Sequence, residues 1–550
     1  MRLTGAEIVV EQICLHGVKT VFGYPGGAVL PLYDALYQNQ ERLHHVLTAH
    51  EQGAVHAADG YARATGNTGV VIATSGPGAT NLVTGIANAY LDSIPMVAIT
   101  GNVPLAILGK DGFQEVDIAG ITQPVVKHSF VVRDVEELAP ILNEAFRLAN
   151  SGRPGPVLVD IPKSVQVDTC EYHGVLSEVP EEMSSCPDLT AVIEALMASK
   201  RPYIYAGGGV LAGDAAHLLP ILAEHLDAPV GLSMMGLTAM DSDHPLNLGM
   251  SGMHGKAASS MAQVACDVML ALGVRFSDRA TGDAKAFVAN KTIIHVDLDL
   301  AEIGKNVETH LDVCGDVKTV MTALLEKVPA LKHEAWLAEV EAMKAKDQVR
   351  QQGTLTPQTV IETVQTHSTR DTVVATDVGQ HQMWTMLYYG FHEPRTLLTS
   401  GGLGTMGYGM GAAIGGCLAR EKAPTVLFTS EGSFGMNLNE LATAVTQDLP
   451  LTIVLLHNNV LGMVRQWQRM FYEKRYSQTT LQRATDFVAL AKAFGAEGMS
   501  VHTVEELYDA LANRPVDKPV LLDCWIDQDE MVLPMIPPAG TISEMVVREA

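Results

Sequence analysis

Short apolar runs recur along the chain, each bounded by glycine, proline or a polar turn, and between them apolar residues return at helical spacing. Residues 70–73, 96–100 and 157–160 are such runs in the first third, 203–206, 268–272 and 293–297 in the middle, and 373–376, 426–428, 451–456 and 520–525 in the last. Continuous runs without polar alternation predict strands covered on both faces, and strands alternating with helices predict parallel sheets. The pattern is therefore that of an α/β protein in three domains, 1–168, 188–330 and 355–550, each with a central, mainly parallel sheet flanked by helices. Polar, proline-bearing sequence over 168–187 marks the first boundary. The charged stretch 334–352, nearly free of turn residues, reads as a solvated linker helix before the third domain.

The segment 425–459 is the most informative. Its two apolar runs stop at Ser430-Glu431-Gly432-Ser433 and at His457-Asn458-Asn459, with a helix expected over 437–446. In such a βαβ unit ligands sit beyond the carboxyl ends of the strands. A carboxylate at Glu431 and an amide oxygen at Asn458 are donors that Mg²⁺ accepts when phosphates complete its shell, which points to a diphosphate site. A strand ending in a turn, with an acid at the N-terminus of the next helix, is the other reading of the same residues.

Composition narrows the function classes. The chain has 550 residues, 47% hydrophobic and 18% charged, too long for one core. With 37 basic against 62 acidic residues, a net charge of -25 and no basic stripe, binding to a phosphate backbone is excluded and no nucleic-acid partner is expected. Seven scattered cysteines without a Cys-x-x-Cys pair read as reduced thiols in a cytoplasm. Met1 leads straight into an amphipathic helix near Thr4, without a leader or a spanning segment, so no membrane partner is expected either.

Other motifs are less specific singly. Glu51 enters a close-packed Ala- and Gly-rich segment, where a carboxylate is costly without a partner; His50 and His56 lie six apart, which rules out a zinc helix. Gly23-Tyr24-Pro25-Gly26-Gly27 is a tight turn after a strand but lacks the Lys of a P-loop, and 75–81 is a second glycine turn that opens a helix at Ala79. Gly402, Gly404 and Gly407 match G-x-G-x-x-G, yet the nearest acid, Glu421, precedes Pro424 and lies ahead of the next strand, so the dinucleotide reading fails there. Gly207-Gly208-Gly209 ends a strand where a missing side chain lets backbone approach a ligand closely.

The acidic segment at Glu431, with Asn458 27 positions later, resembles the diphosphate motif of thiamine diphosphate (ThDP) enzymes. Over essentially the whole chain, through 22–27, 50–54, 73–82, 113–115, 151–163, 248–255, 274–282, 377–384 and 461–467, the sequence resembles the acetohydroxyacid synthase (acetolactate synthase) catalytic subunit family. That resemblance implies a ThDP- and Mg²⁺-dependent enzyme that decarboxylates pyruvate and joins the two-carbon unit to a second 2-oxo acid, with FAD bound but not used for net redox turnover. It implies that Glu51 meets the aminopyrimidine and favours its imino tautomer, that Gln114 approaches the reacting centre, and that Lys163, Met253, Arg279 and Trp467 shape the substrate channel. Arg279 would take the carboxylate of the second acid and Trp467 its alkyl tail. Gly26, Gly27, Pro77, Asn81, Val378, Gly379, Gln380, His381, Gly432 and Ser433 would contact ThDP, Met406 would prop its bent shape, and Glu431, Asn458 and the Val460 carbonyl would hold Mg²⁺. Gly207, Gly208, Gly209, His254, Gly273, Arg275, Asp278, Asp297 and Asp316, with Met253, would line the FAD site. Because family sites form between two subunits, a homodimer is the minimum assembly, a homotetramer is also compatible, and a small regulatory subunit is a further partner.

The chain departs from the family pattern at Glu431, where the family has Asp, and at Ser430, Gly112, Ser277 and Met410-Gly411. One added methylene at Glu431 matters most, because Mg²⁺ tolerates poor octahedral geometry badly. Two rivals stay open: a pyruvate oxidase or decarboxylase relative, and a catalytically silent ThDP-fold subunit.

Overall fold

The apolar runs become strands with both faces covered. The computed structural model describes residues 1–176, 186–345 and 355–547, and gathers these strands into three six-stranded parallel sheets flanked by helices. The first sheet runs His44–Leu47, Thr20–Tyr24, Gly69–Ala73, Met96–Asn102, Pro156–Pro162, His128–Val131. The third runs Leu397–Leu398, Val373–Thr376, Thr425–Thr429, Leu451–His457, Val520–Trp525, Glu497–Val501. Numbered along the chain, both have strand order 2-1-3-4-6-5. The middle sheet, Asn247–Met250, Val230–Leu232, Pro202–Ala206, Val268–Leu272, Thr292–Asp297, Leu311–Cys314, has order 3-2-1-4-5-6, that of dinucleotide-binding folds.

Open parallel sheets bind ligands where the strand order reverses, beyond the carboxyl ends. The three reversals place the segments after Tyr24 and Ala73, after Ala206 and Leu272, and after Thr376 and Thr429 at the mouths of crevices. These are the glycine turns and acidic ends singled out in the sequence.

Three expectations need correction. The helix Glu334–Lys344 is not simply solvated: Trp336 and Val340, four apart, are buried, and the indole Nε1 donates to the Pro202 carbonyl at 2.9 Å. Its apolar stripe docks it on the middle domain; residues 346–352 of the expected linker helix lie outside the described residues. The helix expected over 437–446 starts earlier, at Glu431: Glu431–Asn437, with Ser430 at its N-cap position, runs on through the tight turn Leu438–Glu440 into Leu441–Thr446. The first boundary segment begins inside the first domain, since Thr169–Glu171 pairs antiparallel with Arg2–Thr4; residues 177–185 lie outside the described residues. Among the described residues no helix is long and apolar enough to cross a membrane.

The first and third domains meet along the helices Glu51–Thr65 and Tyr408–Ala419, whose facing positions carry almost no side chain. A Cβ on Gly60 would stand 2.7 Å from the Ala412 Cα, and one on Gly411 2.7 Å from the His56 Cβ. Such backbone proximity leaves no room for bulkier residues. Beside this seam lies a buried charge cluster. Arg63 Nε donates to Asp59 Oδ1 at 2.5 Å and its Nη2 to Asp92 Oδ2 at 2.8 Å, while the Tyr408 hydroxyl donates to Asp59 Oδ1 at 2.6 Å.

Removing one member of a buried pair strands the others, at a cost of about 3–5 kcal/mol. Arg63→Met should lower the unfolding free energy by that amount in urea titrations, and adding Asp59→Asn and Asp92→Asn should recover most of it. A second prediction concerns His56, fully buried with both ring nitrogens unpartnered and pushed by burial to about 4. A folded-state value below the unfolded one means stability is complete above about pH 6.5 and is lost as pH falls towards 4. Between pH 7 and pH 5 this residue should cost about 2 kcal/mol, and His56→Leu should flatten that part of the profile measured by urea midpoint.

Candidate active site

Where the strand Thr425–Thr429 ends, Glu431 opens its helix with a buried side chain. Its Oε1 accepts the Asn458 N–H at 3.1 Å and also the Asn459 N–H, while Oε2 is buried without a partner. Burial pushes this carboxyl above its usual range. Asn459 has a left-handed backbone, φ +59°, which turns the chain out of the strand Leu451–His457. The Asn458 Oδ1 accepts the Val460 N–H at 3.2 Å, and among the described residues no group donates to the Val460 carbonyl. Behind them His457 Nδ1 bonds Asp523 Oδ1 at 2.7 Å, and the imidazole stacks on Trp525 at 3.8 Å. Burial disfavours its charge, but Asp523 and Glu431 outweigh this and raise its pKa. An orphaned carboxylate oxygen, a free carbonyl and an amide oxygen form a hard donor set, and the pocket fits Mg²⁺.

The neighbouring loop is tied to the same strand ends. Asp377, buried after Val373–Thr376, accepts the Gly407 and Gly409 N–H groups through Oδ1 at 2.9 and 3.1 Å and the Thr429 hydroxyl through Oδ2 at 2.9 Å. Ser433 Oγ also accepts the Gly407 N–H, at 3.2 Å. These bonds hold Met406 over Gly432, its Cε 3.7 Å from where a Cβ would stand. His381 is buried with Nε2 unpartnered and pushed by burial to about 3. The Gln380 Nε2 donates to Gln466 Oε1 at 2.9 Å and to the Glu530 carbonyl at 2.8 Å, bracing the helix Gly462–Phe471, while its Oε1 is buried beside Gly462 without a partner.

In the first domain Glu51 begins the helix Glu51–Thr65 and receives the Asn81 amide on Oε2 at 3.0 Å. Within one chain it is half-buried, more open than the buried acid expected from sequence. Pro77 starts the short helix Pro77–Asn81 that carries Asn81. Gly26 is required by close approach, since a Cβ there would lie 2.5 Å from Thr74 Cγ2, whereas Gly27 faces open space. Gln114, at φ +60° and exposed, lays its backbone against Gly76 beside Phe113, which is 87% exposed. Lys163 follows the strand Pro156–Pro162, half-buried and without an ion pair among the described residues.

A cavity of about 2040 Å³ opens at the reversal of the middle sheet. Gly208, Gly209, Gly273, Arg275, Met253, His254, Asp278, Asp297 and Asp316 line it, and it continues past Val378, Gly379 and Met406 to Arg279 and Trp467. A Cβ on Gly209 would stand 2.6 Å from the Gly273 Cα, so backbone alone walls this point; Gly207 packs behind it on Val274. Asp316 caps the helix Val317–Lys327, and burial raises Asp297 to about 6. The volume exceeds that of a pocket for one drug-sized ligand, and the residues fit a dinucleotide with a second, smaller ligand. At the far end the Arg279 guanidinium lies 5.4 Å from the Trp467 ring centroid and its Nη1 3.7 Å from Met253 Sδ. Glu51, Gln114, Lys163, Glu431, Asn458 and Val460 do not line this cavity.

Sequence reasoning missed Glu440, fully buried, whose Oε2 accepts the Ala49 N–H at 3.1 Å just ahead of Glu51 and whose Oε1 packs on Gly53. It also missed the pairing of His457 with Asp523. The signal available was a polar residue at the end of an apolar run, as at His457.

Family models of thiamine pyrophosphate enzymes match the chain in all three domains: the N-terminal TPP binding domain over 3–121, the central domain over 189–324 and the C-terminal TPP binding domain over 377–524. The chain is 44% identical to the acetolactate synthase isozyme 2 large subunit of Escherichia coli (strain K12), covering 99% of each protein. It is 42% identical to the acetolactate synthase large subunit of Buchnera aphidicola subsp. Schizaphis graminum, over 100% of this chain and 99% of the relative. It is also 42% identical to a probable acetolactate synthase large subunit of Methanocaldococcus jannaschii, over 99% and 95%. With its full length matched and its strand-end motifs in place, the chain belongs to the thiamine pyrophosphate enzymes and, among them, to the family of acetolactate synthase large subunits.

Proposed function

We propose that this chain is the catalytic subunit of an acetolactate synthase, which decarboxylates pyruvate and joins the two-carbon unit to pyruvate or 2-oxobutyrate, giving 2-acetolactate or 2-aceto-2-hydroxybutyrate. The observation that carries the reading is the convergence of Arg279, Trp467 and Met253 at the end of a cavity that also reaches Val378, Gly379 and Met406. A guanidinium beside an indole face offers a carboxylate site next to an apolar plate, which is the shape of a 2-oxo acid with its alkyl tail.

When bound, thiamine diphosphate supplies the electron sink that decarboxylation of a 2-oxo acid requires. Glu431, Asn458 and the Val460 carbonyl would hold its Mg²⁺, and Gly379, His381 and Gly432 would face the diphosphate. Glu51, oriented by Asn81, would share a proton with the pyrimidine ring nitrogen. Gly208, Gly209, Arg275, Asp297 and Asp316 would hold FAD. Gln114 and Lys163 would close the substrate channel. Glu51 is only half-buried within one chain and Gln114 beside Phe113 is exposed, which supports a site completed by a second copy of the chain and hence a homodimer at least. The large-subunit names of the relatives support a small partner subunit. The seven free cysteines support a reducing cytoplasm.

The test is one assay of pyruvate with ThDP, Mg²⁺ and FAD that reads acetolactate, acetaldehyde and electron-acceptor reduction together. Acetolactate should dominate; acetaldehyde or acceptor reduction as the main product would favour the decarboxylase or oxidase rival, and no product at all the silent subunit. Glu51→Gln should keep ThDP bound and lose at least about 100-fold in turnover, the scale of general acid–base catalysis. Trp467→Leu should keep acetolactate formation and reduce the preference for 2-oxobutyrate over pyruvate, since a methylene contact is worth about 1–3 kcal/mol. A competition experiment with both acids reads that ratio directly.

A further inference from the structure

Glu431 is one methylene longer than the Asp of the resembled motif, and the structure shows where the extra length goes. Oε1 reaches across to the next strand end and takes the N–H groups of Asn458 and Asn459, which leaves Oε2 as the free oxygen. His457 stands directly behind this arrangement. Its Nδ1 is fixed by Asp523 at 2.7 Å, one ring face lies on Trp525 at 3.8 Å, and Phe487 meets it edge-on at 5.7 Å, so the imidazole cannot turn. Nε2 therefore faces Asn459 Oδ1 at 3.3 Å and Glu431 Oε1 at 3.6 Å. Asn459 needs that support, because its left-handed backbone, φ +59°, is what aims its N–H at Glu431.

We propose that His457, locked by Asp523, is a positioning residue that fixes Glu431 Oε1 on the Asn458-Asn459 turn and so decides that Oε2 is the oxygen offered to the metal. The proposal rests on the reading of Glu431 as a Mg²⁺ ligand. An aspartate at 431, one methylene shorter, would draw its carboxylate back from the Asn459 N–H and from His457 Nε2, so it is expected to gain less from His457. The role of His457 is thus tied to the longer acid, as supporting residues behind metal ligands commonly are to the ligand they orient.

The experiment is a mutant cycle read by equilibrium binding, without turnover. Apo-protein carrying His457→Leu or Asp523→Asn, each with Glu431 or with Glu431→Asp, is titrated with Mg²⁺ at fixed ThDP in a calorimeter. With Glu431 present, both variants should raise the Mg²⁺ concentration for half-saturation about tenfold. In the Glu431→Asp background the same changes should cost less than about twofold. Equal losses in both backgrounds, or no loss with Glu431, would overturn the positioning role. Asp523→Asn preserves shape and carries the test if His457→Leu does not fold. Glu431→Ala separates the two layers: parent-like Mg²⁺ and ThDP binding in that variant overturns the ligand reading itself, whereas its loss together with absent coupling overturns only the part given to His457.

Discussion

The architecture hangs on the seam between the helices Glu51–Thr65 and Tyr408–Ala419. Glycine and alanine on both sides let the two backbones touch, and the Asp59–Arg63–Asp92 cluster locks the approach at one end. The consequence reaches the site directly. Asp92 accepts the Gly401 and Gly402 N–H groups at 3.0 and 2.7 Å, and Asn88 accepts the Ser400 hydroxyl at 2.5 Å. The loop bearing Met406 belongs to the third domain but is held by the first. In return Glu440 of the third domain grips Ala49 and packs on Gly53, at the point where Glu51 emerges.

This reciprocal hold explains why polar groups are spent in the interior. Asp59, Asp92, Asp377, Glu431 and Glu440 are all buried or nearly so, and a buried carboxylate is costly unless something answers it. Asp59, Asp92 and Asp377 are answered by Arg63, by backbone N–H groups or by hydroxyls. Glu431 and Glu440 each keep one oxygen unanswered. An unsatisfied buried acceptor costs about 1–3 kcal/mol, a cost that a bound divalent cation would relieve at Glu431.

Much of this was legible in the sequence, because strands covered on both faces write themselves as unbroken apolar runs. Residues 268–272, 373–376 and 520–525 become strands with those limits, and the glycine turns fall at the sheet reversals. What the sequence hid has a common cause. The docking of Trp336 and Val340 shows only as two apolar residues four apart in a charged stretch, a stripe too narrow to outweigh its neighbours. The helical residues ahead of 437 were masked by Gly432, Ser433 and Gly435, which are poor helix formers in isolation. Glu440 and His457 act through partners far along the chain, Ala49 and Asp523, and no local pattern announces such a pairing.

The four tryptophans of the chain are distributed in a way that divides its emission into separate signals. Trp336 and Trp384 are buried in domain cores, at 2% and 1% exposure, and sense little but the integrity of the fold. Trp467 lies under the Arg279 guanidinium at one end of the cavity, and Trp525, 37% exposed, lies flat on His457 behind Glu431. The protein therefore carries two native fluorophores outside its cores, each beside a polar group able to quench it, so that changes around Arg279 and around His457 can be followed by light without any label.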